Sequence, residues 1–431
     1  MQDKPTQIIP RVLTLSLGAT TAMWVFSYIA ILFSGKTGGE ILFILGALCL
    51  PVAARHGKSL KEGAWIGFVS ALLNLLLIGS IVGGKAPSEM LATGLYWVVG
   101  LFVVSILLGV IGASLHGRLK DCTCEVDWHF GFLCVATALV FLMLVTGGLV
   151  TGMEAGLAVP DWPNSYGHNM LLYPLTEMVA PGNEGVFFEH AHRLTGMLIG
   201  MTSLIMVVCV WKWSASKCAR TLALLIFIFV CVQGLLGGLR VTGHLTLAQD
   251  REMLAPNLWI GVVHGVVGQM IFAGFVMLSA MLSPKWKNPE KASRKGDVKW
   301  ATMLCSVMVL QLILGAVYRH MLGDEALASK ATHILYTHIV IAFLVLLFAI
   351  VTGIRCMGRD NALLKKLGIS LHALVLVQLL LGGGALVVIL INKGDTVPLI
   401  EVIVTTLHQA NGALLLGASF ATFVWFRRMM S

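Results

Sequence analysis

Charged residues are scarce in this chain of 431 residues. Asp, Glu, Lys and Arg make up 12% of the sequence, against roughly 25% in soluble domains. Hydrophobic residues make up 57%. This composition excludes an ordinary soluble enzyme, a disordered chain and a disulfide-rich scaffold. It predicts an integral membrane protein whose main contact is the lipid bilayer.

Most of the sequence consists of long apolar runs with few charged residues. A helix needs about 20 apolar residues to cross a bilayer, and twelve runs of this kind are separated by charge, Gly or Pro. The first run has no small-residue cleavage site, so we expect a retained helix there. The sequence therefore predicts an all-α integral membrane protein with about twelve transmembrane helices, at 11–34, 38–54, 63–84, 91–115, 128–153, 186–211, 219–241, 258–282, 300–320, 332–355, 366–391 and 399–426.

Lys and Arg are unevenly distributed between the predicted connections. The longest outer connection, 154–185, has neither residue, whereas the 283–299 connection has six of them. The positive-inside rule then places 283–299 and both termini in the cytoplasm. We expect a multi-pass protein of a bacterial-type cytoplasmic membrane. The net charge of +9 is explained as an orientation signal, so no nucleic-acid partner is expected.

A short motif repeats along the last 300 residues. Gln, three residues and Gly occur in three predicted helices, and a degenerate copy with Met in the Gln place occurs in an earlier one. Each motif helix is followed by a helix that re-enters from the outside and carries a His early in its span. At about 1.5 Å per residue, these His lie at a similar depth, roughly 10 Å below the outer surface. The copies are Met143 and Gly147 with His192, Gln233 and Gly237 with His264, Gln311 and Gly315 with His338, and Gln378 and Gly382 with His408.

The repeat predicts how the chain is organised. Two pseudo-symmetric four-helix bundles, 128–282 and 300–431, would be joined by the basic cytoplasmic linker 283–299, and each bundle would own two His. Residues 1–127 form an additional four-span region with no His inside a span. We expect a packing, assembly or partner-docking role for it.

Two His at one depth in a bundle can bind a haem iron from opposite faces through imidazole nitrogens. A hydrogen-bonded interior role is the alternative for a single intramembrane His, and a zinc ion would need further ligands at the same depth. The four-fold pattern favours two haems. His333, near the outer mouth of its helix, is a candidate partner for a haem propionate, whereas His320 is expected in an outer loop.

The first of the four His differs from the others. Glu189 lies three residues before His192 and on the same helical face. Such a carboxylate can serve as acid, base or anchor for a reacting intermediate, and an ion pair with Arg193 is a compatible alternative. His190 points about 200° away from His192, so its contact with a haem is left open. At the other three His the position of Glu189 is taken by Gly261, Leu335 and Thr405.

These motifs together resemble the haem A synthase family over about residues 128–426. The resemblance rests on the Glu189-x-x-His192-Arg193 motif, the outer loop and the four-His layer. It implies oxidation of the C8 methyl group of haem O to the formyl group of haem A for terminal oxidases, with water as the oxygen source and haem b as electron relay. The loop residues of the motif are Gly156, Leu157, Asp161 and Trp162.

The resemblance also implies roles for single residues. Glu189 would be the catalytic carboxylate. Arg193, Asp161 and Trp162, which lie in the motifs, and His333, which was selected by its position, are candidate supporting residues. The substrate haem would be bound by His192 and His264, and haem b by His338 and His408.

Implied partners are the enzyme that supplies haem O, the cytochrome oxidase assembly machinery and an electron acceptor that the motifs do not identify. Family members with a Cys pair in the first outer loop differ from this chain, which has none there.

Two other functions remain open at this point. A di-haem b-type membrane protein that transfers electrons from quinol explains the four His but not the single Glu189. A twelve-helix transporter with two repeated halves fits the number of spans, but it explains neither the His nor their common depth.

Overall fold

The computed structural model describes residues 7–32, 36–83, 87–116, 126–180, 182–242, 258–322, 327–392 and 397–430. Within these ranges the chain forms thirteen α-helices and two strands of two residues, so the predicted all-α integral membrane fold is confirmed. The helices are α1 (Ile8–Leu32), α2 (Lys36–Ala54), α3 (Leu60–Val82), α4 (Pro87–Ser114), α5 (Trp128–Gly152), α6 (Leu175–Met178), α7 (Glu184–Trp213), α8 (Lys217–Thr242), α9 (Leu258–Leu282), α10 (Lys295–Leu322), α11 (Ala328–Met357), α12 (Ala362–Ile391) and α13 (Leu399–Arg428).

Eleven of the described helices are long and apolar enough to cross a membrane. They match eleven of the twelve predicted spans. The span predicted at 38–54 is the exception, because the apolar part of α2, Gly38–Ala54, is shorter than the others and contains Pro51. The short helix α6 lies in the connection 154–185 and was not predicted.

By backbone packing the chain divides into two compact units, Met1–Leu139 with His168–Phe187 and Val140–Gly167 with Phe188–Ser431. In the first unit, α3 and α4 approach each other backbone to backbone. A Cβ atom built on Gly67 would lie 2.1 Å from the carbonyl oxygen of Ser105. Small residues allow this close approach between membrane helices.

A row of buried polar contacts joins α1 to α3 in the first unit. Partners follow one another at intervals of about four residues on both helices, which places one pair on each helical turn. Polar groups inside a membrane need such partners because lipid offers none. The contacts are Arg11 with Glu62 (2.8 Å), Ser16 with the carbonyl oxygen of Ile66 (3.0 Å), Thr20 with Ser70 (2.8 Å) and Trp24 with Asn74 (2.9 Å).

In the second unit, α10 packs against α9, α11 and α13, and α12 packs against α11 and α13. The core of this arrangement is apolar. At its predicted cytoplasmic end, the carboxylate of Asp297 accepts hydrogen bonds from Arg355 and Arg359 at 2.8 and 2.7 Å. Buried core residues include Leu304, Met308, Val345, Leu371, Leu415 and Leu416.

Candidate active site

The four predicted His form two pairs in the structure. The ring centroids of His192 and His264 are 6.5 Å apart, and those of His338 and His408 are 6.4 Å apart. With metal–imidazole nitrogen bonds of about 2.0 Å on each side, the centroids of two opposed axial ligands lie about 6.3 Å apart. Both separations therefore match the spacing of two imidazoles on one haem iron.

The Gly of each repeated motif lies against the imidazole of the His that follows it. A Cβ atom on any of the four would stand 3.0–3.2 Å from the Cε1 atom of that ring, which is too close for an undisturbed contact. Because glycine has no side chain, the imidazole ring of the following His can occupy this space. The pairs are Gly147 with His192, Gly237 with His264, Gly315 with His338 and Gly382 with His408.

The other motif residue packs on the partner helix in the same way. Gln233 lies 3.1 Å from the Cβ position of Gly268, and Gln378 lies 3.2 Å from that of Gly412. Each of these Gly follows its His by four residues. This second half of the motif, in which the His packs on one Gly and the Gln on another, was not predicted from the sequence.

Side-chain amides contact the ring nitrogens of the second His pair. Gln311 Nε2 is 3.1 Å from His338 Nε2, and Gln378 Nε2 is 3.2 Å from His408 Nδ1. Asn411 in turn donates to Gln378 Oε1 at 2.7 Å. Gln378 Nε2 is also 3.3 Å from His408 Nε2, so its amide lies against both ring nitrogens of that His.

The first His pair is held differently. Met143 stands where the other motif helices have Gln, and Thr146 provides the polar contact instead, with its hydroxyl 3.3 Å from His192 Nδ1. Within the described part of the chain, no hydrogen bond reaches Nε2 of His192 or His264. Both nitrogens are thus available to a ligand. The role of Thr146 was not predicted from the sequence.

These residues fit a haem better than a metal ion bound by protein alone. Among the described residues, no group of three or more His, Cys, Asp or Glu could hold a metal ion. Two opposed imidazoles suffice for haem, because the porphyrin supplies the other four nitrogens. The Gly positions beside each ring give the close packing that a flat ligand between helices requires.

Glu189 is buried beside the first His pair and has both carboxylate oxygens engaged. Oε2 accepts from the backbone N–H of Val159 at 2.8 Å, and Oε1 accepts from Arg193 Nη2 at 2.6 Å. The ion pair considered from the sequence is therefore present, and the outer loop adds a second anchor. Together they give the carboxylate one fixed position.

Arg193 also secures the outer loop. Its guanidinium donates to the carbonyl oxygens of Asp161 at 2.8 Å, Asn164 at 3.0 Å and Val159 at 3.0 Å. The Asp161 carboxylate faces the other way and accepts from the backbone of Tyr166, at 2.7 Å, and of the next residue. It thereby stabilises a turn in which Tyr166 has a φ of 50°.

The remaining predicted residues occupy different environments. The ring of Trp162 lies on Gly238 of α8, where a Cβ atom would be 2.4 Å from the indole. His190 is buried, with Nδ1 3.3 Å from the hydroxyl of Ser165. His333 is exposed on α11. His320 lies in the last turn of α10, and not in an outer loop as predicted.

Comparison with known proteins agrees with the motifs. Residues 131–331 match the model of the COX15-CtaA family, cytochrome oxidase assembly protein. Heme A synthase of Listeria monocytogenes serotype 4a (strain HCC23) is 21% identical over 253 residues, which cover 58% of this chain and 76% of the relative. Heme A synthase of Caulobacter vibrioides is 24% identical over 353 residues, covering 68% and 94%. The predicted resemblance to the haem A synthase family is confirmed.

Proposed function

We propose that this chain is a haem A synthase that oxidises the C8 methyl group of haem O to the formyl group of haem A. The oxygen atom comes from water, and the electrons and protons removed from the methyl carbon pass to an acceptor outside the chain. The family match and the names of the relatives support this proposal. The difference between the two His pairs, of which only the first has a carboxylate such as Glu189 three residues before a His, also supports it.

The observation that carries the proposal is the fixed carboxylate at one pair only. Glu189 is held between Val159 and Arg193, three residues before His192. A carboxylate in such a position can take up and release protons during the oxidation of a bound substrate. His192 and His264 bind the haem that reacts, and Glu189 moves protons beside it.

The second pair serves a different purpose in this proposal. His338 and His408 hold haem b, which supplies one-electron transfer when bound. The amides of Gln311 and Gln378 lie against the two rings, and they would have to leave the Nε2 atoms of His338 and His408 for those nitrogens to bind iron. The residue three before each of these His is Leu335 or Thr405, so neither His has a carboxylate at the position that Glu189 takes before His192.

The long outer loop acts as a cover for the reacting site. Arg193 holds three of its carbonyls, and Trp162 rests on Gly238. Such a cover excludes bulk water from the reaction. We further propose that both termini are cytoplasmic and that the His layer lies near the outer face, as the distribution of Lys and Arg indicates.

The alternatives account for fewer of these contacts. A di-haem electron carrier needs two His pairs but no anchored carboxylate at one of them. A transporter needs neither. The enzyme that supplies haem O and the cytochrome oxidase assembly machinery are the partners that a haem A synthase requires.

Extraction of the bound haems tests the proposal. The chain would be produced in cells that make haem O, and the haems separated by reversed-phase chromatography. We expect haem A and haem b from the wild type, and haem O and haem b without haem A from Glu189→Ala. A matched control is Glu401→Gln, which changes a buried carboxylate of α13 and should leave haem A formation intact. Normal haem A yield from Glu189→Ala would remove Glu189 from the mechanism, and a wild type without haem would contradict the proposal as a whole.

A further inference from the structure

We propose that Arg240, Arg319 and His320 form a binding site for the propionate carboxylates of the porphyrin at the first His pair. This inference rests on the proposed function and adds to it the part of the substrate that the chain recognises. None of the three residues belongs to the site motifs predicted from the sequence.

Arg240 brings a cation from α8 to the first site. It lies in the last turn of α8, and a Cβ atom on Gly156 of the outer loop would be 2.6 Å from its Nη2 atom. Arg240 interacts electrostatically with Glu189 and with both His192 and His264. Its guanidinium therefore lies within electrostatic range of the ring pair and the carboxylate.

The last turn of α10 supplies the other two side chains. Arg319 Nη2 donates to the carbonyl oxygen of Thr151 at 2.7 Å. The ring of His320 lies on Gly261, where a Cβ atom would be 2.8 Å from the ring. Since Gly261 precedes His264 by three residues, the two share one face of α9. His320 thus covers the outer end of the first pair.

The charges in this cluster are not balanced by the described residues. Arg240 and Arg319 interact with each other as like charges. The carboxylate that interacts with Arg240, that of Glu189, already accepts from Arg193 and Val159. No hydrogen bond joins Arg240 to any residue that the structure describes.

An anionic ligand would satisfy both guanidinium groups. Both arginines are partly buried, and a cation removed from water is stabilised by an anionic partner. Guanidinium groups bind carboxylates through paired, charge-assisted hydrogen bonds. A haem has two propionate carboxylates, which matches the two arginines.

The second His pair has no such cluster. The interactions of His338 and His408 involve each other and the two Gln side chains, and no Arg or Lys among the described residues. Seven residues after its motif Gln, α8 has Arg240, whereas α12 has the buried Ala385 at the same spacing. The cations are thus specific to the pair that we assign to the substrate.

Titration with a haem and its ester tests the inference. Ferric protohaem and its dimethyl ester, which lacks the negative charges, would be added to detergent-solubilised protein and followed in the Soret band. The signal of the first site is the part that His192→Ala removes. We expect the wild type to bind the acid about tenfold to hundredfold more tightly than the ester, as is typical for hydrogen bonds to charged groups. Arg240→Gln and Arg319→Gln should each reduce this preference.

A matched control is Arg220→Gln, which removes a cation from the opposite end of α8 and should keep the full preference. Haem b bound at the second pair reports that each variant is folded. Equal affinity of the wild type for acid and ester, or an unchanged preference in Arg240→Gln, would overturn the propionate site alone. No His192-dependent binding in the wild type would overturn the proposed function together with it.

Discussion

Arg193 and Glu189 are joined at 2.6 Å, one helical turn apart on α7. The same guanidinium that holds the carboxylate also holds carbonyl oxygens of the outer loop. Both the position of the Glu189 carboxylate and the closure of the outer loop therefore depend on the side chain of Arg193. A change at Arg193 should affect both.

Replacing Arg193 with Lys tests this coupling. Lys keeps the charge but presents a single ammonium group, which cannot serve Glu189 and three carbonyls in one geometry. We expect haem A formation to fall at least about tenfold, in the range typical of lost supporting contacts, with haem b content unchanged. Haem extraction measures the first effect, and faster proteolysis within 154–174 measures the second. Arg220→Lys is the control, and an Arg193→Lys variant with normal haem A yield and an equally protected loop would disprove the coupling.

Replacing the motif Gly residues with Ala should empty the two haem sites separately. The added Cβ atom of Gly315→Ala or Gly382→Ala would stand 3.0 Å from the Cε1 atom of the adjacent His, so the ring must move. We expect loss of haem b in these variants. Gly237→Ala should instead retain haem b and lose the haem of the first pair.

Neighbouring Gly residues provide controls for this series. A Cβ atom built on Gly383 or Gly234 would have no neighbouring atom within 4 Å. Gly383→Ala and Gly234→Ala should therefore keep both haems, as read from the spectrum of the reduced protein. If Gly382→Ala and Gly383→Ala had the same haem content, close packing of Gly against His would not be required for binding.

The features that could be predicted from the sequence are those that depend on a single helix. Span length follows from the bilayer thickness, and the depth of each His follows from its distance to the helix end. The pairing of Gln and Gly with His was also visible, because the repeat displays it several times. These features need no knowledge of which helices are neighbours.

Features made by two distant helices could not be predicted in the same way. His320 reaches Gly261 of α9, and Arg319 reaches Thr151 of α5. Both belong to the predicted second bundle but contact helices of the first. Thr146 replaces a missing Gln from a different position on its helix. The periodicity of a helical sequence predicts which face of the helix carries a side chain. It does not predict which other helix packs against that face.

The close contact between α3 and the outer connection suggests a role for part of the N-terminal region. A Cβ atom on Gly79 would lie 1.9 Å from the carbonyl oxygen of Leu171, so Gly79→Ala must displace that segment. We expect faster proteolysis near Leu171 and a lower haem A yield. Gly100→Ala on α4 is the control, since nothing lies within 4 Å there. Equal proteolysis and equal yield in the two variants would exclude this supporting role.

The buried ion pair between Arg11 and Glu62 makes α1 and α3 dependent on each other. Their side chains are 1% and 10% exposed and joined at 2.8 Å. Arg11→Met leaves a buried carboxylate uncompensated, so the free energy of unfolding should fall by about 3–5 kcal/mol. Arg11→Met combined with Glu62→Leu removes both charges and should regain most of this loss, because a well-packed apolar pair needs no desolvation of ions. Thermal unfolding in detergent measures both. A double variant no more stable than Arg11→Met would show that Glu62 stabilises the unit through other contacts, such as the backbone N–H of Lys58.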